Sequence, residues 1–269
     1  MRVKYALIMS LGVGAVLSLA VVPAGGQAGA YRAPRTADGK PSFNGIWQAV
    51  TEAYWDVEPH SAAPGVVLSL GASNAVPGGL GIVDGRIPYR PEALAKKQEN
   101  YANRLTRDPE IKCYLPGVPR ATYMPYPFQV IQTPAYIIMV HTYARAVRTI
   151  YMTDQKEAPA DSWMGWSNGR WDGETLVVDT TGFLDTTWFD RAGNYHSDAL
   201  HVVERFSATS ADHLLYEATI EDPKVFTRPW TISMPLYRRL EKNAQIMEFN
   251  CVPFVEDLIY GHLRAQPAK

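Results

Sequence analysis

The sequence predicts a mainly β chain, folded as an antiparallel barrel or a sandwich, with one short helix and long loops. Three observations carry that expectation. Short runs rich in β-branched and aromatic residues recur from residue 128 onward. Proline, glycine and an Asp-Gly dipeptide punctuate them, and helical patterning is confined to one segment.

Taken in order, Ile46–Trp55 reads as the first strand. Residues 59–88 are dominated by Gly, Pro, Ala and Ser, a length and composition typical of a functional loop or lid. Pro91-Glu92-Ala93-Leu94-Ala95-Lys96-Lys97 opens the helix, expected over 91–104, with Pro and Glu in the first turn where both are tolerated. Phe128–Thr133, Tyr136–Thr142 and Val147–Met152 follow as strands. Asp172-Gly173 suits a two-residue type I′ hairpin leading into a strand at Glu174–Thr180. His201–Ser207, Leu214–Glu221 and Trp230–Leu240 continue as a meander, with Gln245–Val252 as a closing strand.

The first 30 residues read as an export signal: Arg2 and Lys4, an uncharged apolar run from Ala6 to Val22, then Ala28-Gly29-Ala30 as a cleavage site. A retained anchor is the alternative, since the run is nearly long enough to span a bilayer. Cleavage leaves 31–269 as one β domain, periplasmic or secreted. In that setting Cys113 and Cys251 are expected to form a disulfide. Closing so long a loop restricts the unfolded chain by roughly 4–5 kcal/mol in the entropic picture.

Composition excludes several partners. The net charge is −1 and no basic stripe exists, which argues against nucleic acid and against a membrane surface after signal cleavage. Glycines 78, 79, 81 and 85 spell neither a dinucleotide nor a P-loop pattern, and no cofactor is expected. Gly165-Trp166-Ser167-Asn168-Gly169 matches a nucleophile elbow in letters, but no helix follows it, and the glycines there relieve crowding among tryptophans. Seven Trp, fifteen Tyr and eight Phe exceed what packing needs, so some are expected to face a small apolar or aromatic ligand.

The densest polar stretch runs from Asp179 to Arg205. His196, Asp198, His201 and Glu204 are the candidate acid/base groups, because a histidine beside a carboxylate is the usual general base. Strand alternation places His201 and Arg205 on one face and Glu204 on the other, so the barrel interior receives one set or the other. His196 and Asp198 would sit together at the rim. A structural hydrogen-bond network is the competing account, and a metal site the third, although His-x4-His-x2-Glu is not a zinc spacing. Arg120, Tyr126, Arg205 and Trp188 are candidate substrate contacts; a salt bridge is the plainer role for Arg120.

Several blocks resemble a large family of exported bacterial proteins. They are Asn44-Gly45-Ile46-Trp47-Gln48, Pro116-Gly117-Val118-Pro119-Arg120, Gly169-Arg170-Trp171-Asp172-Gly173-Glu174-Thr175-Leu176-Val177-Val178-Asp179-Thr180-Thr181-Gly182-Phe183, His196-Ser197-Asp198-Ala199-Leu200-His201-Val202-Val203-Glu204-Arg205-Phe206 and Phe226-Thr227-Arg228-Pro229-Trp230. The resemblance implies export and one shared fold, and brings no activity. Cys251-Val252-Pro253 departs from the Cys-x-Glu-Asn run of that family. Gly45-Ile46-Trp47 also resembles the first strand of lipocalin-type barrels, which favours a barrel holding one small ligand. The expectation from sequence is therefore an exported, cofactor-free enzyme working by acid/base chemistry of the lyase, isomerase or cyclase type. A non-catalytic carrier is the alternative, and a metal-dependent hydrolase the third.

Overall fold

A computed structural model describes residues 31–264; the expected export signal lies outside them. Nine strands form a closed barrel: β1 Gly45–Ala49, β2 Phe128–Gln132, β3 Tyr136–His141, β4 Val147–Tyr151, β5 Trp166–Asp172, β6 Thr175–Thr181, β7 His201–Ala208, β8 His213–Glu221 and β9 Trp230–Arg238. Each strand pairs with its sequence neighbours, and β1 closes on β9 through Trp47↔Arg238. The barrel, rather than the sandwich, is the fold.

A ring of strands can be antiparallel throughout only if their number is even. Nine strands therefore need a parallel junction, and β4 and β5 supply it through Ile150↔Ser167 and Tyr151↔Asn168. β5 takes in Trp166–Gly169 of the elbow-like motif, where no strand is expected from the sequence. Gly169 is required there, because a side-chain carbon at that position would lie 2.5 Å from Met152 Sδ and 2.6 Å from Ile150 Cγ2. The hairpin that follows turns on Gly173-Glu174, with Asp172 paired to Thr175. Gly173 alone takes a positive φ, 60°, which suits a II′ turn and not the expected I′.

The pairing sorts the connections. Short turns 133–135, 173–174 and 209–212 lie at one end of the barrel. At the other end gather 50–127, 182–200 and 222–229, making a thick lid. Among the described residues there are four α-helices, α1 Pro91–Ala102, α2 Arg104–Arg107, α3 Arg120–Tyr123 and α4 Val255–Tyr260, the first three of them in the lid segment. The long 59–88 loop folds back on itself through the bridges His60↔Gly79 and Ala63↔Val76 and touches β9 at Val83↔Ile232.

No strand forms at 245–252. The outer edge of β9 is already taken by β1, so no ladder position remains for a tenth strand. The segment instead runs as a strap. Arg145 donates to the Phe249 carbonyl (3.2 Å) and pairs with Glu248 (3.1 Å), and Phe254 N–H donates to the Ile111 carbonyl (2.8 Å). The expected disulfide Cys113–Cys251 is present, with Cα atoms 5.7 Å apart, and ties this strap to the lid.

The barrel interior is filled by side chains from alternate strand positions, among them Trp47, Phe128, Ile150, Val178, Phe206, Tyr216, Ile232 and Leu236, all buried.

Candidate functional site

Alternation on β7 resolves in favour of Val202, Glu204 and Phe206 inside, all buried. His201 and Arg205 therefore lie on the outer wall. His201 is half-buried between Asp179 (3.1 Å) and Glu221 (3.3 Å), carboxylates of the flanking strands. Arg205 pairs with exposed Asp172 at 3.0 Å. The expected pairing of His196 with Asp198 does not form. Asp198 is exposed and bound to Lys224 at 2.6 Å. His196 is buried against Phe183 and Phe189; its Nδ1–H donates to the Ser197 carbonyl (2.9 Å), so Nε2 accepts from Thr187 Oγ1 (2.6 Å). Burial holds its pKa below the usual value, leaving a neutral ring. Trp188 is buried and bridges to Tyr195.

Glu204 is the centre of a closed network. Arg148 on β4 donates to both its oxygens, one at 3.1 Å, and to Ser167 Oγ and Thr180 Oγ1, each at 2.9 Å. Tyr216 OH donates to Glu204 at 2.9 Å. Every charged group of this pair is thus satisfied by residues of β4 to β8, which makes it a pin through the barrel. Arg148 was legible: it is in phase with Ile150 on the inward face. Beside it His141 is 2% exposed and neither ring nitrogen makes a hydrogen bond. Burial, then the Arg148 charge, push its pKa down to about 3.

The richer chemistry lies under the lid. Glu110 is clamped by Arg191, which donates from Nε (2.8 Å) and Nη2 (3.0 Å), and by Arg120 Nη2 (2.6 Å). Burial works to raise the Glu110 carboxyl, and the two guanidiniums outweigh it and hold it low. Arg120 also reaches Asp108 at 3.3 Å and is itself 1% exposed, so it is a salt-bridged frame and presents nothing to a ligand. Arg191 extends to Glu256 on α4 at 3.2 Å, and its guanidinium lies 4.6 Å over the Trp55 ring. It joins the 50s loop, the 110s loop and α4.

Two clefts flank Arg191, each of about 170 Å³. One holds Tyr126, packed on Tyr143 and Phe249, with the disulfide at its edge. The other is walled by Trp55, Asp56, His60, Tyr101, Leu105 and Asp108. Behind it stands Asp190, fully buried, whose oxygens accept from the backbone N–H of Val57 (2.9 Å), Ala192 (2.9 Å) and Asn194 (3.2 Å) and from Asn194 Nδ2 (2.6 Å). The same Asn194 amide donates to Asp56 at 3.3 Å, so the two carboxyls share it. Burial, and next the Asp56 charge, push Asp190 up to about 7 against the pull of its N–H donors. Asp56 is raised as well, chiefly by burial. The two carboxyls are both raised, and their titrations are coupled through burial and mutual charge.

His60 lies in the wall of this cleft. Its Nδ1 is 2.9 Å from the Glu58 carbonyl, and a carbonyl only accepts, so Nδ1–H donates there, while Nε2 has no hydrogen-bond partner among the described residues. Sequence reading misses Asp56, His60, Asp190 and Asn194 as a group, although the loop composition marked the segment containing His60. No protein-family model and no curated protein matches this chain.

Proposed function

We propose that the chain is an enzyme that acts by cofactor-free proton transfer on a small apolar or aromatic molecule held in the lid-end cleft. The carrying observation is the Asp56–Asp190 pair sharing one amide beneath a cleft with aromatic and aliphatic walls. A carboxyl poised near pH 7 can give and take a proton at working pH, which is what lyase, isomerase and cyclase reactions of this kind ask of the protein. Glu204 and His196 serve the fold in this reading, and the four originally expected acid/base residues give way to Asp190, Asp56 and His60. The Cys113–Cys251 bridge is in keeping with an oxidising compartment, and with it the export read from the N-terminus.

The test is proton exchange. The protein is incubated in D₂O with a panel of single-ring phenols and ring ketones, and loss of carbon-bound hydrogen is followed by NMR. Enzyme-dependent exchange is expected with at least one compound, and Asp190→Asn should slow it by roughly 10²–10⁴-fold. Absence of catalysed exchange across the panel, or full exchange by the variant, refutes the reading in favour of a carrier using the same cleft.

A further inference from the structure

A cavity of about 410 Å³, more than twice the size of either lid-end cleft, lies at the opposite end of the barrel. It opens where β4 stops. Tyr151↔Asn168 is the last pair of the β4–β5 junction, and β5 runs on to Asp172 with no strand beside it on that side. The result is a window in the barrel wall, bounded by Met152 and Trp171 and by the turn at residues 36–40. That turn is firmly held. Thr36 N–H donates to the Lys40 carbonyl (2.9 Å), and Gln132 Nε2 donates to the Pro41 carbonyl (3.0 Å). Arg35 pairs with Glu174 at 2.6 Å on the other side. The cavity is open as it stands: Trp171 and Met152 are half-buried, and Asp38, Lys40 and Gln155 are exposed.

Its back and its rim differ in chemistry. The back is apolar, made by Ile137, Met152 and the Trp171 indole, whose other neighbour is the Phe43 ring at 5.4 Å. The rim offers both donors and acceptors. Thr36 Oγ1 donates to Asp38 Oδ1, and Gln155 Nε2 donates to the Gly169 carbonyl. Among the described residues Asp38 Oδ2, Lys40 Nζ and Gln155 Oε1 have no hydrogen-bond partner. Strand alternation turns Arg170 to the outer wall, away from Trp171, so Lys40 and Asp38 leave the rim without net charge. A wholly apolar ring would suit the back and strip water from the rim groups without replacing it. A sugar ring suits both, since its C–H face can lie on the indole while each hydroxyl donates and accepts. An apolar cavity of ~150 Å³ accommodates one benzene ring, so this volume has room for one or two pyranose rings.

From these features we infer that the window between β4 and β5 is a binding site for a neutral saccharide of one or two rings, seated on Trp171 and hydrogen-bonded by Asp38, Lys40 and Gln155. The site is separate from the lid-end cleft and does not rest on the function proposed for it. Glucose, galactose, mannose, cellobiose and maltose are titrated against the full-length protein by calorimetry, with glucuronate and glucosamine as charged relatives. At least one neutral sugar should bind saturably, and neither charged relative should bind more tightly than the best neutral one. Trp171→Ala should weaken that binding about tenfold. Trp171→Phe keeps an aromatic plane and should retain part of it, which guards against a packing defect in the first variant. Asp38→Ala, at an exposed turn, should weaken it about tenfold without touching the core. Asp190→Asn, at the far end of the barrel, should bind the sugar normally. No binding across the panel, tighter binding of a charged relative, undiminished affinity in Trp171→Ala or in Asp38→Ala, or loss of affinity in Asp190→Asn would overturn the inference.

Discussion

Replacing Asp190 by Asn removes the one carboxyl whose ionisation the fold most resists. In the folded chain it titrates at about 7, against an ordinary value of 3.8. Between those two pH values the native state holds a proton that the unfolded chain has released, so stability falls as pH rises through that window. Three pKa units correspond to about 4 kcal/mol, an upper figure because the pair with Asp56 titrates jointly. Urea unfolding of both proteins at pH 4, 5, 6 and 7 reads the effect directly. The variant should be less stable at low pH, since an amide cannot reproduce all four accepted hydrogen bonds. The stability advantage of the unmodified protein should then shrink by up to about 4 kcal/mol toward pH 7. A constant offset between the two curves, with no pH dependence, would show that Asp190 ionises normally and would remove the basis of the coupled carboxyl pair.

Three further perturbations bear on the barrel. His141 titrates at about 3 when folded, so the stability it carries is complete above its unfolded value of 6.5 and is lost on acidification. Against His141→Phe, the unmodified protein should lose up to about 5 kcal/mol between pH 6.5 and 3, and parallel acid-unfolding curves would contradict this. Glu204→Gln leaves Arg148 buried without its countercharge and should cost about 3–5 kcal/mol in thermal or urea unfolding, whereas Arg148→Met with Glu204→Leu together should recover most of it. Cys251→Ser should cost up to about 5 kcal/mol by the loop-entropy account and expose residues 241–254 to proteolysis, a change absent if the strap is held by its hydrogen bonds alone.

Much of the barrel could be read from local pattern, because alternation and turn residues are local properties. β7 to β9 were expected within a residue or two for that reason. The first strand ends earlier than Trp55, at Ala49, where the chain leaves β9 and turns into the lid. β5 was hidden because the two glycines of Gly165-Trp166-Ser167-Asn168-Gly169 interrupt the alternation that marks a strand. Only the approach of Ile150 and Met152, a contact between distant segments, explains why a glycine sits within a strand. The parallel junction follows from the parity of the whole ring and has no local sign. The same limit applies to the site. Alternation narrowed Glu204, His201 and Arg205 to two arrangements, and the choice between them belongs to the closed sheet. The Asp56–Asn194–Asp190 arrangement joins positions 138 residues apart, and carboxyls of ordinary appearance become unusual only when the lid encloses them.

The uneven ladder of the wall has a mechanical consequence. β5 to β9 are laced by six to eight residue pairs at each junction, while β4 meets β5 through two and β1 meets each neighbour through three. Backbone amides along these three thin seams should exchange with solvent first, and the panel from β2 to β4 should swing as a shutter against a stiff five-stranded half. The Arg148–Glu204 pair crosses one of those seams, fastening the shutter where the backbone itself does little to hold it closed.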